Sequence, residues 1–347
     1  MPKHLLMVVG NGFTIDFLTH LNFVDQIDVS NLFRFGSCVP WPSDGEPGFL
    51  SYKRCPHLWN LGARPNMPLP EAMALIEAII TCVNVFVSAP QGARGRTPRN
   101  RDGRPNDLYI FGYKELALYL KHLFVYYDSK ISQLPPEAVQ WPWAKFLKRV
   151  HESHSYDRVT IVDYNYDVWL ERVLRQLEVP FAVGEIELEP VGTKIRILKP
   201  HGSISFAHRT VRDREAFAIS HNYELLDGAA SDFTVRYDLL AENYLVNALI
   251  PPAGESGRFN HTWAGQIRSA AKAAAGVLRR EDELLLCGLS YWHVDRAELD
   301  ELLVICDPAT NVKMINPHPL RSMDAVLTSI FDNYISYTST SVLEALV

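Results

Sequence analysis

The chain lacks paired cysteines, and this absence excludes two classes of protein. Its five cysteines are odd in number, widely scattered and never arranged as CxxC, at Cys38, Cys55, Cys82, Cys287 and Cys306. A disulfide-stabilised secreted domain or a zinc knuckle needs cysteines paired at short spacing. We therefore expect a reducing compartment and no metal centre.

A long hydrophobic segment at the N-terminus is also missing. The apolar run that begins at Leu5 has only five residues before Gly10, which is too short for the core of a signal peptide or for a membrane span. The net charge of −6 argues against nucleic-acid binding over the whole surface. We expect a cytoplasmic protein without membrane contact.

The composition is that of a globular protein. Of the 347 residues, 47% are hydrophobic and 21% are charged, which is ordinary for a chain that buries a full core. The length fits one large α/β domain with an elaboration, or two smaller domains. No internal repeat is present.

A buried strand followed by a polar cluster stands near the middle of the sequence. Residues 159–162 are uncharged and mostly β-branched, which is typical of a strand buried on both faces. The sequence DYNYD (163–167) follows, and apolar residues then recur at helical spacing from Val168. Because open α/β sheets bind ligands at the carboxyl ends of their strands, Asn165 and Asp167 are predicted to lie at a ligand site.

Five further runs resemble strands, and each ends in Gly, Asn, Asp, Pro or His. They are 5–9, 194–198, 249–250, 283–287 and 312–315. Helical patterns separate most of them, which predicts an α/β fold with a doubly wound parallel sheet. Their polar ends should converge on one edge of that sheet.

The first strand runs into Gly10-Asn11-Gly12-Phe13-Thr14. Glycine lets the backbone turn tightly and approach a phosphate, and the following helix supplies unpaired N–H donors. The third glycine of the dinucleotide-binding fingerprint is missing. A plain strand-to-helix turn therefore stays open as the alternative.

A mainly helical block, 22–150, separates this turn from the central strand. Apolar spacing predicts helices over 72–87, 113–127 and 136–150. Such a block can serve as a lid or an oligomerisation surface, or as ordinary scaffold. Within it, 90–107 carries five arginines among Gly and Pro and is predicted to be a flexible surface loop. This loop is the one place where nucleic-acid contact is expected; a solvated loop without a ligand is the alternative.

Five motifs occur in the order in which the SIR2-like family carries them. They are Gly10-Asn11-Gly12, Asn165-Tyr166-Asp167, His201-Gly202-Ser203, Gly288-Leu289-Ser290 with Asp295, and Ile315-Asn316-Pro317. The chain resembles that family over nearly its whole length apart from the helical block. The opening GNGF also resembles the AbiH group of phage-exclusion proteins. The resemblance implies a Rossmann-like NAD+-binding core, 1–21 and 151–347, with 22–150 as an insertion.

The resemblance also implies roles for individual residues. Asn165 would hold the ribose hydroxyls or the attacking water, Asp167 would lie beside the carboxamide, and His201 would be the general base. The remaining assignments concern NAD+ binding, with the glycine turn at the pyrophosphate and the later motifs on the adenosine side. These residues are Gly10, Asn11, Gly12, Phe13, Thr14, Gly288, Ser290, Asp295 and Asn316. Asp295 is placed to cap a helix over 297–306 as well.

Sirtuin deacylases carry a zinc module held by two cysteine pairs after the catalytic histidine. This chain has no cysteine between His201 and Cys287, which argues against peptide deacylation. It instead resembles the NAD+-depleting effectors of bacterial antiphage defence. The expected activity is hydrolysis of NAD+ to nicotinamide and ADP-ribose during abortive infection. The alternatives are an ADP-ribosyltransferase or deacylase, and a catalytically silent nucleotide-binding regulator.

Uncontrolled hydrolysis of NAD+ would kill the host, so the activity is expected to be restrained until a trigger arrives. The chain shows no second sensor domain. We expect control through a homo-oligomer, through a separate sensor protein, or through both. An ATPase or helicase, an Argonaute-like protein and a nucleotide-sensing subunit are the candidate sensors.

Overall fold

A computed structural model gives the structure of the chain and describes residues 2–88, 108–252, 261–290 and 296–346. The predicted loop at 90–107 and Asp295 lie outside the described residues. The helices in the described part are α1 (Asn11–His20), α2 (Pro56–Leu61), α3 (Leu69–Ser88), α4 (Leu108–Lys130), α5 (Pro142–Glu152), α6 (Trp169–Gln176), α7 (Thr262–Gly276), α8 (Arg296–Leu303) and α9 (Arg321–Ile330). Short 3₁₀ helices cover Pro136–Gln140, Ala230–Asp232 and Thr340–Ala345.

Seven strands form one parallel sheet, in the order β11-β10-β9-β1-β2-β4-β3. These are β1 (Lys3–Val9), β2 (Tyr156–Asp163), β3 (Phe181–Val183), β4 (Ile195–Leu198), β9 (Glu283–Cys287), β10 (Asn311–Ile315) and β11 (Asn333–Tyr337). Two small antiparallel pairs join β5 (Phe206–His208) to β7 (Phe233–Val235) and β6 (Val211–Arg212) to β8 (Asn243–Tyr244). The predicted Rossmann-like α/β fold with a parallel sheet is confirmed.

The chain reverses its direction of travel across the sheet at β1. It places β2, β4 and β3 on one side of this strand and β9, β10 and β11 on the other. A crevice opens at such a reversal, outside the carboxyl ends of the strands, and ligands of doubly wound sheets bind there. The topology therefore points to the ends of β1, β2 and β9.

Five of the six predicted strands are strands of this sheet, and the prediction at 249–250 is wrong. Leu249 forms only an isolated bridge with Gly202, because this short apolar segment packs against the turn that follows β4. The edge strands β3 and β11 were not predicted. None of the five residues of β11 is buried, so this strand lacks the apolar run that marks a central strand of a parallel sheet.

Each face of the sheet carries its own hydrophobic core. On β1, alternate side chains point to opposite faces: Leu5, Met7 and Val9 belong to one core, and Leu6 and Val8 belong to the other. The first core continues without interruption into the helical block 22–150, and the second is closed by residues of α7, α8 and α9. The helical block thus forms a layer of the same core as the sheet.

Among the described helices, α3 alone is long and apolar enough to cross a membrane by length and composition. Its window Leu69–Phe86 has a mean hydropathy of 1.6, and 33% of that window is buried. Ile76, Ile79 and Ile80 face the core, as they do in a core helix of a soluble protein. One such helix is weak evidence for a membrane span, and the cytoplasmic location stays a prediction.

Candidate functional site at the carboxyl edge of the sheet

A cavity opens where four adjacent strands, β9, β1, β2 and β4, end. Its inner part has a volume of about 160 Å³. The empty space amounts to about 1040 Å³ when the open mouth is included. The inner 160 Å³ is smaller than the roughly 300–1,000 Å³ of a pocket that encloses a whole small ligand, so it has room for only one end of a dinucleotide. Six residues predicted from the sequence line it, namely Gly10, Asn11, Asn165, Asp167, His201 and Ser290.

The helical block supplies the opposite wall of the cavity. Met73 and Ile76 of α3 and Phe124 of α4 line it, and so does the segment after α1 through Val29 and Leu32. These side chains are apolar, whereas the wall at the strand ends is polar. An apolar cover excludes water and strengthens the electrostatic interactions that form beneath it.

The amide of Asn165 is held in a fixed orientation. Asp163 accepts hydrogen bonds through Oδ1 from the backbone N–H of Asn165 at 3.0 Å and from its Nδ2 at 2.9 Å. The same Nδ2 donates to the carbonyl oxygen of Gly10 at 3.0 Å. With both amide hydrogens engaged, the Oδ1 of Asn165 is the atom left to accept a hydrogen bond from a ligand. Asp163, the last residue of β2, thus orients the candidate catalytic amide.

The carboxylate of Glu298 lies next to the imidazole of His201. Nε2 of His201 lies 3.5 Å from Oε2 of Glu298, and Nε of Arg268 donates to the same oxygen at 3.0 Å. Both His201 and Glu298 are buried. Burial alone would raise the pKa of Glu298, but its hydrogen bond with His201 and the nearby charge of Arg268 lower it to about 2. Glu298 is therefore an anion at neutral pH and stabilises a protonated imidazole.

Glu298 was not predicted from the sequence. It lies in the first turn of α8, where acidic residues are common because they complement the helix dipole. The packing of α8 against α7, where Arg268 bonds to Glu298, brings this carboxylate next to His201. The available signal was an acidic residue shortly after the Gly288-Leu289-Ser290 motif.

Asp167 faces the cavity but is also bonded within the protein. Its Oδ2 accepts a hydrogen bond from Oγ1 of Thr14 at 2.7 Å, and its Oδ1 accepts one from the backbone N–H of Trp169 at 3.2 Å. Burial raises the pKa of Asp167, and the neighbouring Asp163 carboxylate adds to the rise against the effect of Lys199. Thr14 is buried and does not line the cavity. Its hydroxyl holds Asp167, the residue for which the sequence predicted a role at the carboxamide.

A fully buried lysine ties two strand ends together beneath the cavity. Nζ of Lys199, at the end of β4, lies 3.2 Å from Oδ2 of Asp163 and 3.1 Å from Oε1 of Glu171. It also donates to the backbone carbonyl of Asp167. Burial alone would lower the pKa of Lys199, but Glu171 and Asp163 raise it above its usual value. Burial raises the pKa of Glu171 to about 7 despite the opposing effect of Lys199.

The glycine turns after β1 and β9 pack directly against each other. The backbone N–H of Gly12 donates to the carbonyl oxygen of Gly288 at 2.9 Å. Gly288 has φ of +62°, and a Cβ there would lie 2.3 Å from the backbone nitrogen of Phe13. Glycine is therefore required by the contact between the turns. Gly12, Gly288 and Phe13 do not line the cavity, and the Phe13 ring packs on Trp141 at 4.8 Å between ring centroids.

The last predicted position, Asn316, lies beside the second glycine turn. Its Nδ2 donates to the carbonyl oxygen of Leu289 at 3.2 Å, and its Oδ1 accepts from the backbone N–H of His318 at 3.1 Å. It is not part of the cavity wall. Asp295, for which an adenosine-side role was predicted, lies outside the described residues.

The turn after His201 needs a glycine for a similar reason. Gly202 has φ of +87°, and a Cβ there would lie 1.8 Å from the carbonyl oxygen of Ala248. The backbone N–H of Ile250 donates to the carbonyl oxygen of His201 at 3.0 Å. Segment 248–250 thereby fixes the backbone that carries the imidazole.

In comparisons with known proteins, no family model matches the chain and no curated protein matches it significantly. The SIR2-like resemblance therefore depends on the motif series alone and stays a prediction.

Proposed function

We propose that the chain is a SIR2-like NAD+ hydrolase that cleaves the bond between nicotinamide and ribose. The observation that carries the proposal is that Asn165 and His201, on different strand ends, line one cavity at the reversal point of a doubly wound sheet. The inner cavity takes the nicotinamide riboside end of the dinucleotide, where the reaction occurs.

In the proposed reaction, the bond between C1′ of the ribose and the ring nitrogen of nicotinamide breaks, and nicotinamide leaves as a neutral molecule with the electron pair. The sugar passes through an oxocarbenium-like state, which oxygen atoms and anions stabilise. A water oxygen forms the new bond to C1′, and its proton passes to His201. The products are nicotinamide and ADP-ribose.

Asn165 and Asp167 supply the oxygen atoms in this proposal. The Oδ1 of Asn165 accepts a hydrogen bond from a ribose hydroxyl or from the attacking water. Asp167 lies at the carboxamide, where its carboxylate oxygens can accept a hydrogen bond from the amide N–H. The positions of both are fixed in advance, by Asp163 and Thr14 respectively, so little reorganisation is needed during the reaction.

Glu298 acts as the positioning residue for the base. In this proposal Glu298 holds the imidazole through Nε2 and so fixes the orientation in which His201 takes the proton from water. The buried carboxylate then stabilises the imidazolium that forms. A histidine backed by a carboxylate is a general-base arrangement that recurs on unrelated folds.

The proposed biological role is a toxic effector of antiphage defence. The helical block forms one wall of the cavity, so a change in its packing would change access to the reactive end of the site. A homo-oligomer or a separate sensor, such as an ATPase or helicase, an Argonaute-like protein or a nucleotide-sensing subunit, would act through that block.

The direct test is to follow NAD+ by NMR or chromatography during incubation with the purified chain, alone and with the products of neighbouring genes. We expect equal amounts of nicotinamide and ADP-ribose to appear without any protein acceptor. Nicotinamide release that requires a protein acceptor would indicate a transferase or deacylase instead. Unchanged NAD+ in every combination would contradict the proposal and favour a silent nucleotide-binding protein.

Replacing Glu298 with glutamine should lower kcat at least about tenfold, which is less than the whole general-base contribution of roughly 10²–10⁴. KM should change little, because Glu298 does not line the cavity. The ratio kcat/KM should fall by the same factor as kcat, which is the signature of an interaction made only in the transition state. The matched control is Glu301→Gln, on the same helix with its side chain 60% exposed. A wild-type kcat in Glu298→Gln, or a loss that appears in KM alone, would refute the positioning role.

A further inference from the structure

A second cluster of titratable side chains lies away from the cavity. It consists of His57 in α2, Glu115 in α4 and His221 in the loop between β6 and β7, and the nitrogen and oxygen atoms that these side chains offer all lie within 4.8 Å of one another. None of the three residues lines the cavity of the candidate site. They are far apart in the sequence, so no sequence motif predicts this cluster.

Both imidazoles turn a nitrogen toward the same carboxylate oxygen. Nδ1 of His57 lies 2.6 Å and Nε2 of His221 lies 3.0 Å from Oε1 of Glu115. The two rings lie close together, with their centroids 4.6 Å apart. The ring of Phe111 lies 5.1 Å from that of His57 and 5.4 Å from that of His221, and it forms an apolar wall beside them.

Among the described residues, no lysine or arginine contacts the carboxylate of Glu115. Its side chain is 0% exposed, and burying a carboxylate is costly unless a cation compensates it. In the described part of the chain, its oxygens contact two imidazoles and the backbone N–H groups of His57 and Leu58. Neither a lysine nor an arginine is among these contacts.

We propose that His57, Glu115 and His221 bind a divalent transition metal ion, with Zn²⁺ as the best match. Two imidazole nitrogens and one carboxylate oxygen are a common ligand set for Zn²⁺, with water in the fourth position. Zinc–ligand bonds of about 2.0–2.1 Å in a tetrahedral site place ligand atoms about 3.3 Å apart. To reach this spacing, the distance from Oε1 would lengthen by about 0.7 Å for His57 and by about 0.3 Å for His221, and the two nitrogens, now within 4.8 Å of each other, would approach to about 3.3 Å.

The surroundings already orient the carboxylate for this role. The backbone N–H of Leu58 donates to Oε2 of Glu115 at 2.7 Å, and the backbone N–H of His57 reaches Oε1 at 3.2 Å. Such outer hydrogen bonds fix a ligating carboxylate and are worth about 10- to 100-fold in metal affinity. The imidazoles are partly open, with 25% of the His57 side chain and 32% of the His221 side chain exposed. An ion and its water ligand can therefore enter from solvent.

The metal would join the helical block to the loop that carries His221. Two of its ligands belong to residues 22–150 and the third to the segment between β6 and β7. The site is independent of NAD+ cleavage, because no ligand touches the proposed reaction site.

The test uses Co²⁺ as a spectroscopic probe for the site. Chelator-treated wild-type protein should bind about one equivalent of Co²⁺, with the visible ligand-field absorption of a tetrahedral site that contains nitrogen ligands. Zn²⁺ should displace it and abolish the absorption. His57→Ala and His221→Ala should each weaken binding by at least roughly tenfold. The exposed His318→Ala is the matched control and should bind as the wild type does.

Glu115→Gln provides a second variant of nearly the same shape, in which the amide oxygen can still accept from the backbone N–H of Leu58. It should fold, as judged by circular dichroism, but bind Co²⁺ at least roughly tenfold more weakly. Equal binding by the wild type and both histidine variants would overturn the proposal, and so would the absence of stoichiometric Co²⁺ binding by the wild type.

Discussion

Replacing His201 with alanine is expected to lower the rate of NAD+ cleavage by roughly 10²- to 10⁴-fold, the usual contribution of a general base. The imidazole lines the cavity and has a buried carboxylate, Glu298, to stabilise its protonated form. Binding of NAD+ should be affected far less than kcat, because the base acts on the water rather than on the dinucleotide. The measurement is nicotinamide release under the conditions in which the wild type is active.

Asn165→Ala should reduce the same rate by roughly 10²- to 10³-fold, as removal of one preorganised hydrogen-bonding group from a reaction site does. The double variant with His201→Ala should be little slower than the worse single variant, because residues that act as one unit are strongly non-additive. The exposed residues His154 and Asn333 provide matched controls, and His154→Ala and Asn333→Ala should retain wild-type rates. If NAD+ loss and cell toxicity persist in both site variants, these residues are not the catalysts.

Lys199→Met is expected to destabilise the fold by about 3–5 kcal/mol, the cost of breaking a buried ion pair by removing one partner. Lys199 is 0% exposed and lies within 3.2 Å of carboxylate oxygens of Asp163 and Glu171. Methionine has a similar shape but leaves buried carboxylates without their cation. The free energy of unfolding in urea, measured at neutral pH, tests this expectation.

The matched control for Lys199 is Lys148→Met. Lys148 is 50% exposed and pairs with Glu152 at 4.0 Å, and an exposed pair of this kind is worth about 0.3–0.5 kcal/mol. Adding Glu171→Gln to Lys199→Met should recover part of the lost stability, because one uncompensated buried charge is removed. A Lys199→Met protein as stable as Lys148→Met would show that the buried lysine is not needed for folding.

The parallel sheet was predictable because its central strands are buried on both faces. The runs at 5–9, 159–162 and 283–287 are apolar without alternation, and each ends in a polar turn. The edge strand β11 was not predicted because its side chains are mostly exposed. The pair Leu249-Ile250 was mistaken for a strand because two buried apolar residues look alike in a strand and in a packed turn.

The candidate site was predictable only where it follows strand ends. Asn165 and His201 come directly after β2 and β4, so the topology of the sheet alone brings them to one edge. The positions of Glu298 and of the apolar wall from α3 and α4 depend on how helices pack across that edge. Local sequence patterns do not predict this packing. Thr14 follows a glycine turn, as a ligand-binding residue would, but its partner is Asp167. Sequence spacing does not distinguish a hydroxyl that bonds a ligand from one that bonds a neighbouring side chain.

The interlocked glycine turns restrict how this protein can change over evolution. Gly12 and Gly288 leave no room for a Cβ on either side, so these two turns, which border the cavity through Gly10 and Ser290, tolerate almost no variation. The facing side chains of Met73, Ile76 and Phe124 have no comparable backbone constraint. Directed evolution toward a different nucleotide should therefore accumulate its substitutions on α3 and α4, while the two turns remain as they are.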